Sequence, residues 1–190
     1  AQLKKELGDV FPVIGMVGRF DPQKDHFSLL DAFTLVKKRG VLHKLVLVGR
    51  EINTSNTVLI NKIQLLGLKD EVLLLNQRDD IPTIMNSLDL HILSSSSEAF
   101  PNVLAEAMAC STPCVTTDVG DAAFIVGDTG WVVPPKNPQA LAKAILIALN
   151  EKQADPSAWI SRKVACSKRI VDNFDIETMV EKYHQVWITK

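Results

Sequence analysis

A chain of 190 residues with 46% apolar side chains and a net charge of -1 at pH 7 is long and apolar enough to build one ordinary domain core. The near-neutral charge gives no electrostatic ground for a nucleic-acid partner, and no run approaches the roughly 18 apolar residues of a membrane span. Three cysteines, an odd number without framework spacing, argue against structural disulfides and favour a reducing compartment.

Residues 1–10 are polar and read as a lead-in. The start at Ala1, without an initiator methionine or a signal or transit segment, is what a piece of a longer protein is expected to show. Val13 to Gly18 is a short uncharged apolar run, the pattern of a strand buried on both faces of a parallel sheet. The turn from Arg19 to Lys24 follows, then a helix to about Arg39 with Leu29, Leu30, Phe33 and Val36 at helical spacing. Two cations at the carboxyl end of a first strand can neutralise a diphosphate, Arg19 as a fork and Lys24 as a point charge; the alternative is a pair of solvated surface charges. A dinucleotide fingerprint is discounted, because the glycines at 15 and 18 lack the G-x-G-x-x-G register and Arg19 stands where backbone must approach a pyrophosphate.

Leu45 to Gly49 is a second buried strand and Arg50 to Asn56 a polar loop. A helix with Val58, Leu59, Ile63 and Leu66 ends at Gly67, a C′ residue. Val72 to Leu75 is the third strand, and the turn from Asn76 to Asp80 opens a short helix at Ile81 with Asp80 as N-cap. Leu88 to Leu93 is the fourth strand, in which His91 reads as a hydrogen-bonded structural residue. His26 reads as a surface residue, and His43 and His184 have no neighbouring chemistry.

Ser94 to Cys110, SSSSEAFPNVLAEAMAC, reads as a strand end, a polar loop and the first turns of a helix beginning beside Pro101. Proline suits a helix's first turn, and the free N–H groups there, backed by the helix dipole, form a place for phosphate. Glu98 and Glu106 frame the junction. Eight helical steps span about 12 Å and slightly more than two turns, so the two carboxylates can address opposite ends of one elongated ligand. A nucleotide-sugar, anionic in the middle and hydroxylated at both ends, has that layout. Taken singly, Glu106 would be a solvated helix residue and Glu98 a loop charge assisting the helix N-terminus.

Cys110 and Cys114 flank a helix-to-strand turn and read as small buried hydrophobes, as does Cys166, not as zinc ligands. Pro113 to Thr117 is the fifth strand, Asp118 to Ala123 a turn around Gly120, and Gly130 to Pro135 a last short strand with Trp131 as a packing residue. Asn137 and Pro138 start a helix to about Asn150, and Asp155 and Pro156 start another through Val171, with Arg162, Lys163, Lys168 and Arg169 as its solvated side. Phe174 and Asp175 begin a final helix with Met179, Val180, Tyr183, Val186 and Trp187 in an apolar stripe. This alternation predicts an α/β fold: a Rossmann-like three-layer domain with a mostly parallel sheet of about six strands and a ligand crevice at the strands' carboxyl ends. Arg19, Arg78 and Glu98 all follow strand ends.

The stretch from Glu98 to Glu106, together with Gly18-Arg19 and Lys24, Ser94 to Thr117 and Gly130 to Pro135, resembles retaining glycosyltransferases of family 4, in which E-x7-E belongs to one half of a GT-B fold. The resemblance covers most of residues 12–150. Ala99 stands where glycine is usual in the family, and Pro101-Asn102 where many members carry glycine. The resemblance implies a nucleotide-sugar-binding domain over 1–173 and a C-terminal helix over 174–190 that packs toward an N-terminal, acceptor-binding half outside this sequence. It places donor binding on Gly18, Arg19, Lys24, Arg78, Glu98, Phe100, Pro101, Asn102, Val103 and Glu106, with Arg19, Lys24 and Glu98 as the catalytic set. The cations hold the diphosphate, Glu98 takes hydroxyls of the transferred sugar, Glu106 takes the ribose, and the turn at Arg78 lies against the base. A nucleophilic role for Glu98 is the minority view.

The implied partners are a nucleotide-sugar and, through the other half, an acceptor glycan or lipid-linked glycan. No cofactor is implied: the cations and helix N–H groups take the place of a metal, in keeping with the lack of a D-x-D pair. The implied setting is surface-polysaccharide synthesis in the cytoplasm or at the inner face of the membrane, with this chain alone turning over poorly. A nucleotide-sugar epimerase of GT-B architecture and a non-catalytic nucleotide-binding domain are the alternatives.

Overall fold

The short apolar runs become strands because uncharged, β-branched-rich segments are stable where both sheet faces are covered. In the computed structural model, which describes residues 12–40 and 44–188, they are β1 (Val13–Val17), β2 (Lys44–Val48), β3 (Val72–Leu74), β4 (Leu90–Leu93), β5 (Cys114–Thr117) and β6 (Trp131–Val133). The expected lead-in at 1–10 and His43 lie outside these residues. The strands pair in the order β3-β2-β1-β4-β5-β6, every pair parallel. Gly15 on β1 faces Val46 on one side and His91 on the other, so the chain's two halves meet along β1 and β4.

The helices are α1 (His26–Lys37), α2 (Thr57–Leu65), α3 (Ile81–Ser87), α4 (Asn102–Ala109), α5 (Ala122–Val126), α6 (Pro138–Ala154), α7 (Pro156–Phe174) and α8 (Ile176–Ile188). On one face of the sheet Leu29, Phe33, Leu59, Leu141 and Ile145 pack on Ile14 and Leu47. On the other, Leu104, Met108, Ile125 and Ile170 pack on Val46, Val48 and Leu93. This is the three-layer arrangement the alternation predicts. Asn137 and Asp155 cap α6 and α7 as expected, accepting from Ala140 N and Ala158 N at 2.9 Å each.

Several expectations are corrected. Asp80 makes no cap bond to α3; its carboxylate is taken by Arg78. Cys110 is half-buried, not buried. Phe174 closes α7 instead of opening α8, with Asp175 between them. His26 is not a surface residue: its side chain is 2% exposed under the turn that follows β1.

Arg162 and Arg169 also leave the solvated side assigned to them. Arg162 grips both oxygens of Glu151 at 2.6 and 2.8 Å, donates to Thr129 O at 3.0 Å and lies over the Trp131 ring. Arg169 donates to Ile125 O and Phe124 O at 2.8 and 2.5 Å. The reason is physical: the last carbonyls of a short helix such as α5 have no partner within it, and a guanidinium supplies several donors. Trp131 packs as expected, stacked on Trp159.

Candidate functional site

The strand order reverses between β1 and β4, and in an open parallel sheet the loops leaving such a pair diverge and leave a crevice at the strands' carboxyl ends. One wall is the turn after β1. Gly18 N donates to Val48 O at 2.8 Å, and Gly49 packs so closely that a Cβ there would stand 2.2 Å from Gly18 O. At φ 150° and in that contact only glycine fits. Asp21 then caps a 3-10 turn at Pro22–Lys24 by accepting from Gln23 N at 2.9 Å, and it also takes Arg19 Nε at 3.1 Å. These bonds, the Gln23 amide first and Arg19 second, hold the Asp21 carboxyl below its ordinary range. Arg19 remains exposed at the rim.

The other wall is the serine run after β4. Ser94 Oγ donates to Lys24 O at 2.9 Å, and Ser96 N donates to Gln23 O at 2.7 Å. The two loops are thereby laced together. Across them Lys24 Nζ meets Glu98 Oε1 at 2.5 Å, an ion pair between side chains 74 residues apart and both mostly buried. Ser95 Oγ donates to the same oxygen at 2.7 Å. Thr117 Oγ1, at the end of β5, donates to Ser95 O at 2.6 Å. Gly120, at φ 50°, lies against the Glu98–Ala99 backbone, and Asp121 N donates to Ala99 O at 2.9 Å.

Beyond Glu98 the chain enters α4. Pro101 is the capping residue and not the first helical one, and Asn102 N already donates to Phe100 O at 3.0 Å. Among the described residues no acceptor meets the Val103 N–H, which is available at the tip as expected. Glu106 is exposed on α4, and its carboxylate, after burial, helps hold the Cys110 thiol above its ordinary range.

The structure thus brings Gly18, Arg19, Lys24, Glu98 and the Pro101–Val103 tip to one end of the sheet. Arg78 lies at the end of β3, two strands from β1, with Nε and Nη2 on Asp80 at 2.8 and 2.9 Å. Phe100 turns its ring toward Phe174, 6.1 Å between centroids, and lines a groove of about 500 Å³ with Asn102, Phe124, Met179 and Tyr183. No three His, Cys, Asp or Glu side chains converge among the described residues.

Two histidines buttress the crevice from within. Burial pushes His26 down to about 4, partly opposed by the Gly18 backbone, and pushes His91 down to about 3. His91 Nε2 accepts from Val17 N at 3.4 Å, so the residue is structural as predicted. The residues missed by sequence reasoning are Ser94, Ser95, Ser96 and Thr117. Their signal is the density of short hydroxyl donors directly after buried strands, where a loop has carbonyls and carboxylates to satisfy.

A parallel sheet covered on both faces, with its strand order reversing between β1 and β4, defines a Rossmann-like domain. The chain belongs to the glycosyl transferases group 1, whose family profile matches residues 3–163. It is 27% identical to the capsular polysaccharide biosynthesis glycosyltransferase CapM of Staphylococcus aureus, over 97% of this chain and 48% of that protein. It is 26% identical to an Escherichia coli UDP-Gal:alpha-D-GlcNAc-diphosphoundecaprenol alpha-1,3-galactosyltransferase, over 93% of this chain and 45% of that protein. Among solved structures, Anabaena HepE in complex with UDP-glucose superposes with a TM-score of 0.81 at 27% identity, covering all of this chain and 52% of that one. The chain spans about half the length of the curated relatives it matches. Its sheet is one Rossmann-like half of a GT-B fold.

Proposed function

We propose that this chain is the C-terminal, donor-binding half of a retaining glycosyltransferase of family 4, and that it binds a nucleotide-diphosphate sugar. The observation that carries this reading is the meeting of Lys24 and Glu98 across the strand-order reversal, beside the tip of α4. A diphosphate beside this pair would face Arg19, Lys24 and the Val103 amide. Charge grows on the leaving phosphate as the glycosidic bond breaks, so donors fixed there stabilise the transition state more than the ground state. In this reading they do so in place of a metal.

Glu98 accepts hydroxyls of the transferred sugar, and Glu106 accepts ribose hydroxyls from the exposed side of α4. HepE, solved with UDP-glucose, supports a uridine nucleotide as the first donor to try. CapM supports a role in surface-polysaccharide synthesis, on the cytoplasmic side where nucleotide-sugars are supplied. No helix among the described residues is long and apolar enough to cross a membrane. The acceptor, a glycan or lipid-linked glycan, is held by the other half, toward which α8 packs.

Calorimetry with UDP-glucose, GDP-mannose and ADP-glucose and their nucleoside diphosphates, with and without a chelator, tests the reading. At least one pair binds, the chelator changes nothing, and Arg19→Ala weakens the diphosphate about tenfold or more, as expected for a charge-assisted contact. Binding of none of the three pairs, or equal diphosphate affinity in Arg19→Ala, refutes it.

A further inference from the structure

We infer that Ser95 is a positioning residue for Glu98 in the donor-loaded protein, a role that rests on the donor-binding reading above. Glu98 Oε1 accepts from both Lys24 Nζ and Ser95 Oγ, at 2.5 and 2.7 Å, while among the described residues no hydrogen bond engages Oε2. The two donors part company once a diphosphate enters. A diphosphate is more highly charged than a carboxylate and competes for the ammonium, which is a point charge on a flexible four-carbon stem and can follow it.

The hydroxyl cannot follow. Ser95 is fully buried, and its carbonyl is held by Thr117 Oγ1 at 2.6 Å. Its neighbours Ser94 and Ser96 are tied to the carbonyls of Lys24 and Gln23. Ser95 therefore stays on Oε1 when Lys24 turns to phosphate, and it keeps Oε2 open toward a sugar hydroxyl. Lacking it, the phosphate grip and the sugar grip would compete for one ammonium. Ser95 uncouples the two.

The test titrates the protein, Ser95→Ala, Glu98→Ala and the double variant by calorimetry with the pairs UDP and UDP-glucose, GDP and GDP-mannose, and ADP and ADP-glucose. For the pair that binds, Ser95→Ala keeps the nucleoside diphosphate within about twofold and weakens the sugar conjugate about tenfold, the scale of a hydrogen bond to a charged group. Ser95→Ala adds nothing when Glu98 is already alanine. Ser95→Cys, near in size and a weaker donor, falls between serine and alanine, and it decides the matter if the alanine variant does not fold. Equal loss for diphosphate and conjugate, or full additivity with Glu98→Ala, overturns the positioning role and leaves the donor reading standing. Failure of the unsubstituted protein to bind any pair overturns the donor reading first, and the role of Ser95 with it.

Discussion

Burial keeps His26 and His91 neutral in the folded protein. An exposed imidazole titrates near 6.5, and burial takes these two to about 4 and about 3. Between those values and 6.5 the unfolded chain binds the protons and the folded one does not. Stability is therefore complete above pH 6.5 and lost as pH falls toward the folded values, by about 3 kcal/mol for His26 and about 5 kcal/mol for His91 once fully expressed. Denaturant titrations from neutral pH down to about pH 4.5 should show a steep fall. His91→Gln, which keeps an acceptor for Val17 N, should remove about 1.4 kcal/mol per pH unit of that slope. An unchanged slope would show that His91 is not buried neutral. The buried state of His26 was not legible in its sequence neighbours, Asp25 and Phe27, one of them charged and the other exposed. The cationic turn was legible, because Arg19 and Lys24 directly follow an uncharged apolar run. The bonds of Ser95 were not: they depend on the path of a loop that no periodicity encodes.

Among the elements, α7 shows how far a helix's pattern reaches. Its start was readable from Asp155 and Pro156, since a capping carboxylate before proline is a local signal. Its basic residues were not separable by composition. Arg162 and Arg169 lie seven residues apart, two turns along one face, and that face meets the carbonyl ends of α5 and the turn that follows it. Lys168, one position away, pairs among the described residues with Asp172 near the surface. Arg169→Ala should therefore cost about 1–3 kcal/mol by leaving the Ile125 and Phe124 carbonyls without their donor. Lys168→Ala should stay within about 0.5 kcal/mol. Thermal melts of the two variants side by side distinguish the roles, and equal melting temperatures would refute the assignment.

For the whole molecule, the alternation of strands and helices made a parallel three-layer sheet legible, while the strand order was not. Order is set by which helix covers which face, and α1 packing beside α6 is a contact between distant parts of the chain. The apolar stripe of α8 lies open in this chain: Ile176, Met179, Val180, Tyr183, Val186, Trp187 and Ile188 are all about half exposed or more. Apolar surface of that extent drives association in water. Sedimentation at rising protein concentration should show self-association that added salt does not weaken, and glutamate at both Val180 and Trp187 should return the chain to a monomer. A strictly monomeric unsubstituted chain at every concentration would refute this.

The line where β1 meets β4 divides the sheet into an amino-terminal and a carboxy-terminal leaf, and Ile14 with Leu90 and Gly15 with His91 are the strand partners that join them. A molecule clasping Lys24 on one leaf and Glu98 on the other would act as a rivet through the hinge of a book. Amide protons on both strands should then exchange with solvent more slowly in concert, although neither strand touches the rivet itself.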